Sequence, residues 1–357
     1  VKEEIRVLVV DDSFFMRTVL SDILSSVPHM VVAGTARNGR EAVAKTMDLR
    51  PDVITMDLDM PGMGGLEAVE RIMSQRPTPI VVVSAYAQEG AQMTIRALEA
   101  GAVDFVPKPQ VSGLIHVAPN KEEFLSKVKQ ASLARIADIF KDSDVLVTGR
   151  EEAGGGMSSG QDILVAIGAS AGGPKALAEI FRLLPGYLNV PMVVVQHMPE
   201  GFTESLAERL DTIGEISVRE AKDGDCLQPG VALVAPGGRH MVLRKEGDLI
   251  RLRFCHEPGT WSAKPSIDLF MRSAVEHFGG CILAVVLTGM GKDGALGSRL
   301  VYEAGGRVLA QDEATSIVYG MPRSVVEMGC VDHQVSIHSM AREILKNIDN
   351  MKQAYRT

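Results

Sequence analysis

Four short apolar runs in the first third of the chain each end in a polar residue that can do chemistry, and this repetition constrains the fold more than any other feature. Ile5–Val10 runs into Asp11-Asp12, Asp52–Met56 into Asp57, Pro79–Val83 into Ser84, and Ala102–Pro107 into Lys108-Pro109. Amphipathic stretches such as Ser13–Ser26 and Gly65–Gln75 lie between the runs. Strand patterns at Ile5–Val10, Met30–Ala33, Val53–Met56, Ile80–Val83 and Val103–Val106, with helical crossovers between them, predict a doubly wound parallel sheet. The carboxyl ends of parallel strands in such a sheet line one crevice. Three carboxylates, a hydroxyl and an ammonium converge there. Crowded carboxylates repel one another unless a cation neutralises them, and a hard cation with carboxylate and water ligands points to Mg²⁺.

This set resembles the receiver domain of two-component response regulators over about the first 120 residues, close to a usual domain size. The stretch Asp57-Leu58-Asp59-Met60-Pro61-Gly62-Met63-Gly64-Gly65 is near the family pattern, with Gly64 where an Asp is usual. The resemblance implies that Asp57 accepts a phosphoryl group from a histidine kinase. It implies that Asp12, Asp57 and the backbone carbonyl of Asp59 hold Mg²⁺, with Asp11 acting through water. It gives Lys108 a contact to a phosphoryl oxygen, and Ser84 and Phe105 the roles of switch hydroxyl and switch aromatic.

A chain of 357 residues has room for two domains with cores of their own. Its 46% hydrophobic and 23% charged content is that of a globular protein. The formal net charge of −8 argues against a nucleic-acid-binding output, which needs a basic face. No run approaches the length of a membrane span, and no basic-then-apolar leader pattern opens the chain. Cys226, Cys255, Cys281 and Cys330 are widely spaced and read as reduced and structural, in a cytoplasmic protein. The expected division is a receiver over 1–120, a helix end and flexible Gly/Ser connection over 121–160, and a second domain over 161–350. Lys121–Lys141 carries apolar residues at helical spacing and reads as the last receiver helix running into that connection.

The second half restarts with the strand pattern Ile163–Ile167, and Met192–Val195 and Ile282–Leu287 are of the same type. Val231–Val234, Met241–Arg244 and Leu249–Phe254 read as strands with tight turns, consistent with an antiparallel hairpin added to the sheet, with Gly247-Asp248 as its turn. Gly168-Ala169-Ser170-Ala171-Gly172-Gly173-Pro174 lies between the first strand and the helix pattern Lys175–Leu184. Pro174 suits the first helical position and Gly173 the cap. Gly-x-Ser-x-Gly at a strand–helix turn is the layout of an exposed nucleophile. Taken alone it is equally the layout of a tight turn or a phosphate-binding loop.

A nucleophilic Ser needs a base, and the base needs an orienting acid. His197 and Asp293 both stand at strand ends, so Ser170, His197 and Asp293 face one crevice. His240, in a Gly-rich loop, competes for the base, and His256 is weaker. His29, His116, His277, His333 and His338 read as loop or helix-surface residues. Asp223, Asp225 and Asp312 are weaker acids. The order Ser, His, Asp along the chain differs from that of α/β-hydrolases.

Here a second resemblance applies. Gly168–Gly173, Gln196-His197-Met198-Pro199, Ala235–Met241, Leu287–Gly294 and Tyr319-Gly320-Met321-Pro322 are similar to the catalytic domain of chemotaxis protein-glutamate methylesterases. That resemblance implies hydrolysis of γ-glutamyl methyl esters on methylated chemoreceptors, with deamidation of receptor glutamines at the same site. It places the oxyanion on backbone N–H groups of Ala171, Gly172 and Met290. It implies no cofactor in the catalytic domain, an unphosphorylated receiver that packs over the crevice, and a monomer without membrane insertion. Two other readings share the residues: a serine hydrolase acting on a different ester, and a non-catalytic module whose Gly-rich loops bind a nucleotide or partner.

Overall fold

The computed structural model describes residues 4–84, 88–108, 121–134, 136, 163–255 and 263–354. The chain divides into two compact units, Val1–Ala137 and Asp138–Thr357. The connection expected at 148–160, Pro109, His116 and His256 lie outside the described residues.

The first unit alternates β1 (Ile5–Val10), α1 (Phe14–Ser25), β2 (Met30–Ala36), α2 (Gly39–Leu49), β3 (Val53–Asp57), α3 (Gly65–Gln75), β4 (Ile80–Ser84), α4 (Gln88–Glu99), β5 (Asp104–Pro107) and α5 (Lys121–Ala131). All five strands are parallel, in the order β2-β1-β3-β4-β5. Every residue of β3 and β4 is buried, which is why those runs are continuously apolar rather than alternating. The order reverses between β1 and β3, so the crevice opens where Asp11 and Asp57 emerge. The helix expected over Lys121–Lys141 ends at Ala131, and Leu133 is exposed in the turn that follows. Its Phe124 and Val128 are buried, and it packs on α1, β3, β4 and β5, so the first unit extends past residue 120.

The second unit contains β6 (Leu164–Ala169), α6 (Gly173–Leu183), β7 (Met192–Gln196), α7 (Phe202–Ile213), β8 (Ser217–Glu220), β9 (Val231–Val234), β10 (His240–Glu246), β11 (Leu249–Cys255), α8 (Ile267–Phe278), β12 (Ile282–Val286), α9 (Ala295–Glu303), β13 (Arg307–Gln311), α10 (Met321–Glu327), β14 (His333–Val335) and α11 (Ile337–Ala354). Seven strands form a parallel sheet in the order β14-β13-β12-β6-β7-β9-β8. The antiparallel hairpin is present as β10 and β11, but it forms a two-stranded sheet apart from the parallel one, with a single isolated bridge from Arg251 to Cys226. Val231–Val234 belongs instead to the parallel sheet, between β7 and β8. The strands β8, β13 and β14 were not read from the sequence. β8 and β14 are edge strands of four and three residues, too short to show a period.

β6, β7 and β12 are buried at every position, and Phe181, Phe202 and Phe270 are covered almost completely. Each such side chain contributes about 1.5–3 kcal/mol of transfer free energy. The strand order reverses between β6 and β12. No described helix is long and apolar enough to cross a membrane. No disulfide joins the four cysteines, and Cys281 and Cys330 are buried.

Candidate active site

Ser170 follows β6, His197 follows β7, and Thr288 to Asp293 follow β12, so the three segments meet where the sheet order reverses. Gly172, with φ of +74°, caps α6 in the left-handed region, which sets the helix start at Gly173, one residue before the position expected from Pro174. The Ser170 N–H donates to the Thr288 carbonyl at 3.1 Å, and the Gln196 side-chain amide donates to the Ser170 carbonyl at 2.9 Å. The Thr288 hydroxyl donates to the Ala171 carbonyl at 2.9 Å. These bonds fix the serine turn from both neighbouring strands. A side chain at Gly289 would stand 2.8 Å from the Ser170 Cβ and 2.4 Å from the Met321 Sδ, so only glycine lets the two loops close on each other. The backbone N–H groups of Ala171, Gly172 and Met290 donate to nothing among the described residues.

His197 Nε2 lies 2.8 Å from Asp293 Oδ2. A proton held on Nε2 by that carboxylate leaves Nδ1 as the basic nitrogen. The acid is itself tightly held. The Ile267 and Asp268 N–H groups donate to it at 2.8 and 3.0 Å, and the Ser266 hydroxyl at 3.1 Å. Ser266 also caps α8, so Asp293 sits on the positive end of that helix. Burial opposes ionisation of Asp293, but the His197 contact and the two N–H groups outweigh it and hold its pKa below the usual carboxylate value. A second carboxylate, Asp268, is 8% exposed and accepts from the Gly294 and Gly297 N–H groups at 2.9 and 2.7 Å. Burial, with the neighbouring Asp293 charge, pushes its pKa up to about 6.

Sequence reasoning missed Gln196, Ser266, Asp268 and Thr288. The signal for Ser266 was present, since Ser followed by an apolar helical run is a capping pattern. Nothing in the sequence marks that this cap faces Asp293. His240 is buried at the start of β10, while His197 takes Asp293. Asp223 and Asp225 are engaged with Arg253 and Arg219 on the surface, and Asp312 caps the Thr315 turn.

The first unit has its own crevice. Single oxygens of Asp11, Asp12 and Asp57 lie within 4.8 Å of one another. Lys108 Nζ is 2.6 Å from Asp57 Oδ2 and 3.4 Å from Asp11 Oδ2. Asp57 Oδ1 accepts from the Asp59 N–H at 3.2 Å. The Asp11 Oδ2 atom is buried without a hydrogen bond. Burial and the Asp11 charge push Asp57 up to about 6 despite Lys108, and burial raises Asp11. Burial opposes the Lys108 charge, but the Asp57 and Asp11 carboxylates outweigh it and raise its pKa. A buried carboxylate oxygen held only by a long 3.4 Å ion pair, beside under-neutralised neighbours, fits a divalent cation. Arg17 donates to the Asp11 and Asp12 carbonyls at 2.8 and 2.9 Å and fixes the acidic turn. The Ser84 hydroxyl accepts from Thr94 at 2.6 Å, and Phe105 is buried.

Two family models match the chain: the response regulator receiver domain over residues 7–118 and the CheB methylesterase over residues 165–344. A protein-glutamate methylesterase/protein-glutamine glutaminase of Geobacillus kaustophilus is 44% identical over 96% of this chain and 99% of its own length. The protein of that name from Thermotoga maritima is 42% identical over 96% of this chain and 98% of its own. The crystal structure of the Thermotoga maritima CheB methylesterase catalytic domain superposes with a TM-score of 0.51 at 39% identity, over 52% of this chain and 98% of that domain. The chain therefore belongs to the CheB methylesterase family, with a receiver domain ahead of the methylesterase domain.

Proposed function

We propose that this chain is a phosphorylation-activated serine hydrolase that removes methyl groups from glutamyl methyl esters of chemoreceptors and deamidates receptor glutamines. The observation that carries this reading is the His197–Asp293 contact of 2.8 Å at the strand-order reversal, beside a serine turn tied to both flanking strands. Ser170 Oγ attacks the ester carbonyl as His197 Nδ1 takes its proton. The tetrahedral oxyanion is received by the N–H groups of Ala171, Gly172 and Met290, donors worth about 3–4 kcal/mol each in related chemistry. Collapse breaks the bond to the methoxy oxygen, which takes the proton from His197 and leaves as methanol. Water then adds to the Ser170 ester, His197 takes its proton and returns it to Ser170 Oγ, and glutamate is released. Asp293 holds the ring and stabilises the imidazolium. With glutamine the leaving group is ammonia, and protonation by His197 matters more.

In the receiver, Asp57 is the phosphoryl acceptor and a histidine kinase the donor. Asp12, Asp57 and the Asp59 carbonyl would hold Mg²⁺, with Asp11 acting through water, and a bound cation would supply the positive charge that the acid cluster and the incoming phosphoryl oxygens require. Lys108 contacts those oxygens, and Ser84 and Phe105 report the change to the surface. In this reading residues 1–120 and the helix that opens the 121–160 segment form the receiver. The rest of that segment connects, and 161–350 is catalytic. The protein acts as a cytoplasmic monomer. The test is methanol release from radiolabelled methylated receptor membranes, with and without a small-molecule phosphodonor and Mg²⁺. Release that rises with phosphodonor supports the reading. Release from Ser170→Ala equal to that of the parent protein would overturn it.

A further inference from the structure

A groove of about 340 Å³ lies between β10 and α8, within the range of ligand-binding clefts. It is lined by Leu243, Arg244 and Lys245 from the strand and by Arg272, Ser273 and His277 from the helix, with Glu276 as its carboxylate. On α8 the groove extends from Leu269 to His277, and none of the residues that hold Asp293, namely His197, Ser266, Ile267 and Asp268, lines it.

The strand wall is a sheet edge. In an antiparallel pair, successive residues point their N–H and C=O groups alternately toward the partner strand and away from it. Leu243 pairs with Leu252. The Leu243 N–H donates to the Ser273 hydroxyl of α8 at 3.0 Å, which shows that Leu243 faces outward. Leu252 also faces outward on the opposite side, bonding the Gly224 and Asp225 backbone at 2.8 and 2.7 Å. The outer edge of β11 is therefore closed by the 223–225 turn. The outer edge of β10 is closed only at Leu243. By the same alternation the Lys245 N–H and C=O point into the groove, and among the described residues neither has a partner.

An open edge invites any strand, and lysine or arginine on it is a common guard against indiscriminate pairing. Here the guard is also a selector. Arg244 and Lys245 are exposed on the edge, and Arg272 stands across from them, in a chain whose formal net charge is −8. Such an edge rejects basic strands and accepts acidic ones. A groove between one strand edge and one helix is the geometry of strand addition, in which ladder hydrogen bonds supply affinity and alternate side chains supply specificity.

We infer that the β10–α8 groove is a docking site for an extended acidic segment of a partner protein, which adds to the Lys245 edge of β10 and pairs its carboxylates with Arg244 and Lys245. The site is separate from the hydrolase crevice and does not depend on the esterase reading.

The test uses the full chain and a fluorescein-labelled Val/Glu peptide of about eight residues, an ordinary strand length, with Val-Val and Glu-Glu pairs in turn so that carboxylates lie on both strand faces, as Arg244 and Lys245 do. Anisotropy should show saturable binding, absent for the Val/Lys peptide. Arg244→Glu with Lys245→Glu should weaken it at least about tenfold, while circular dichroism stays unchanged because both side chains are exposed. A Val/Glu peptide N-methylated at alternate residues keeps its charge but cannot form the ladder, and it should bind at least about tenfold more weakly. Hydrogen exchange at the Lys245 amide should slow when the parent peptide is bound. Equal binding of the methylated peptide would reduce the site to charge attraction and overturn strand addition. Undiminished binding by the double variant would place the peptide elsewhere. Binding that appears only after Glu151→Lys and Glu152→Lys would make the chain's own connector the occupant, and the partner proposal would fail.

Discussion

The two units put their chemistry at the same topological point and give it opposite electrostatics. In the first, the strand order reverses between β1 and β3, and Asp11 and Asp57 meet there; in the second it reverses between β6 and β12, and Ser170 meets the Asp293 loop. Asp57 sits among other carboxylates with Lys108 as its cation, and burial lifts it to about 6. Asp293 is about as buried, yet four donors hold it below the ordinary range. The first crevice sets one ammonium against three carboxylates and suits a cation and a transferable anion. The second keeps one anion fixed beside an imidazole. A parallel sheet supplies a place for chemistry, and the donors brought to each carboxylate decide which chemistry.

If that contrast is correct, the largest effect belongs to the second crevice. Ser170→Ala should lower methanol release by about 10⁴-fold or more, and Asp293→Asn should lower kcat by about 10⁴-fold with little change in KM, read from steady-state rates. A loss in KM alone would show that Asp293 binds substrate rather than fixing His197. In the first crevice, Asp57→Asn should abolish the rise produced by phosphodonor while leaving the unstimulated rate intact. A further rise in that variant would move the phosphoryl acceptor away from Asp57. Asp11→Asn should weaken Mg²⁺ binding about 10–100-fold by titration calorimetry, since it orients the ligands from behind. An unchanged affinity would mean that the buried Asp11 oxygen does not serve the cation.

The smallest effect tests the neighbouring acid of the second crevice. Asp268 is raised to about 6, so between the ordinary carboxylate pKa and about 6 the folded protein binds the extra proton and the unfolded chain does not. Its contribution therefore makes stability fall as pH rises through that window. Asp293 is lowered and acts in the opposite sense: its stabilisation is present above the usual carboxylate pKa and is lost as pH falls through the depressed value. Asp268→Asn keeps an acceptor for the Gly294 and Gly297 N–H groups and removes the falling slope. It should raise stability at pH 7 by about 1 kcal/mol and have little effect at pH 4, measured by urea unfolding followed by circular dichroism. Equal effects at both pH values would show that the change acts through packing instead of charge.

Sequence pattern was enough to read both units as α/β with parallel strands, to put the chemical residues at strand ends and to point to the family, though three short strands of the second sheet escaped it. Buried parallel strands must be apolar throughout, and a reactive polar residue closing such a run has few places to point other than the crevice. Ser170, His197, Asp293 and the receiver acids were legible for that reason. Tertiary structure alone decided what surrounds them. Ser266 and Asp268 reach Asp293 from a helix whose start lies more than twenty residues away, and hydrogen bonds over that separation leave no local pattern. The same holds for the hairpin. Alternation revealed β10 and β11, but only the position of α8 decided that they stay apart from the main sheet, with the β10 edge half closed by Ser273 and half open at Lys245. Periodicity records which face of an element is buried, and it carries no information about which distant element buries it.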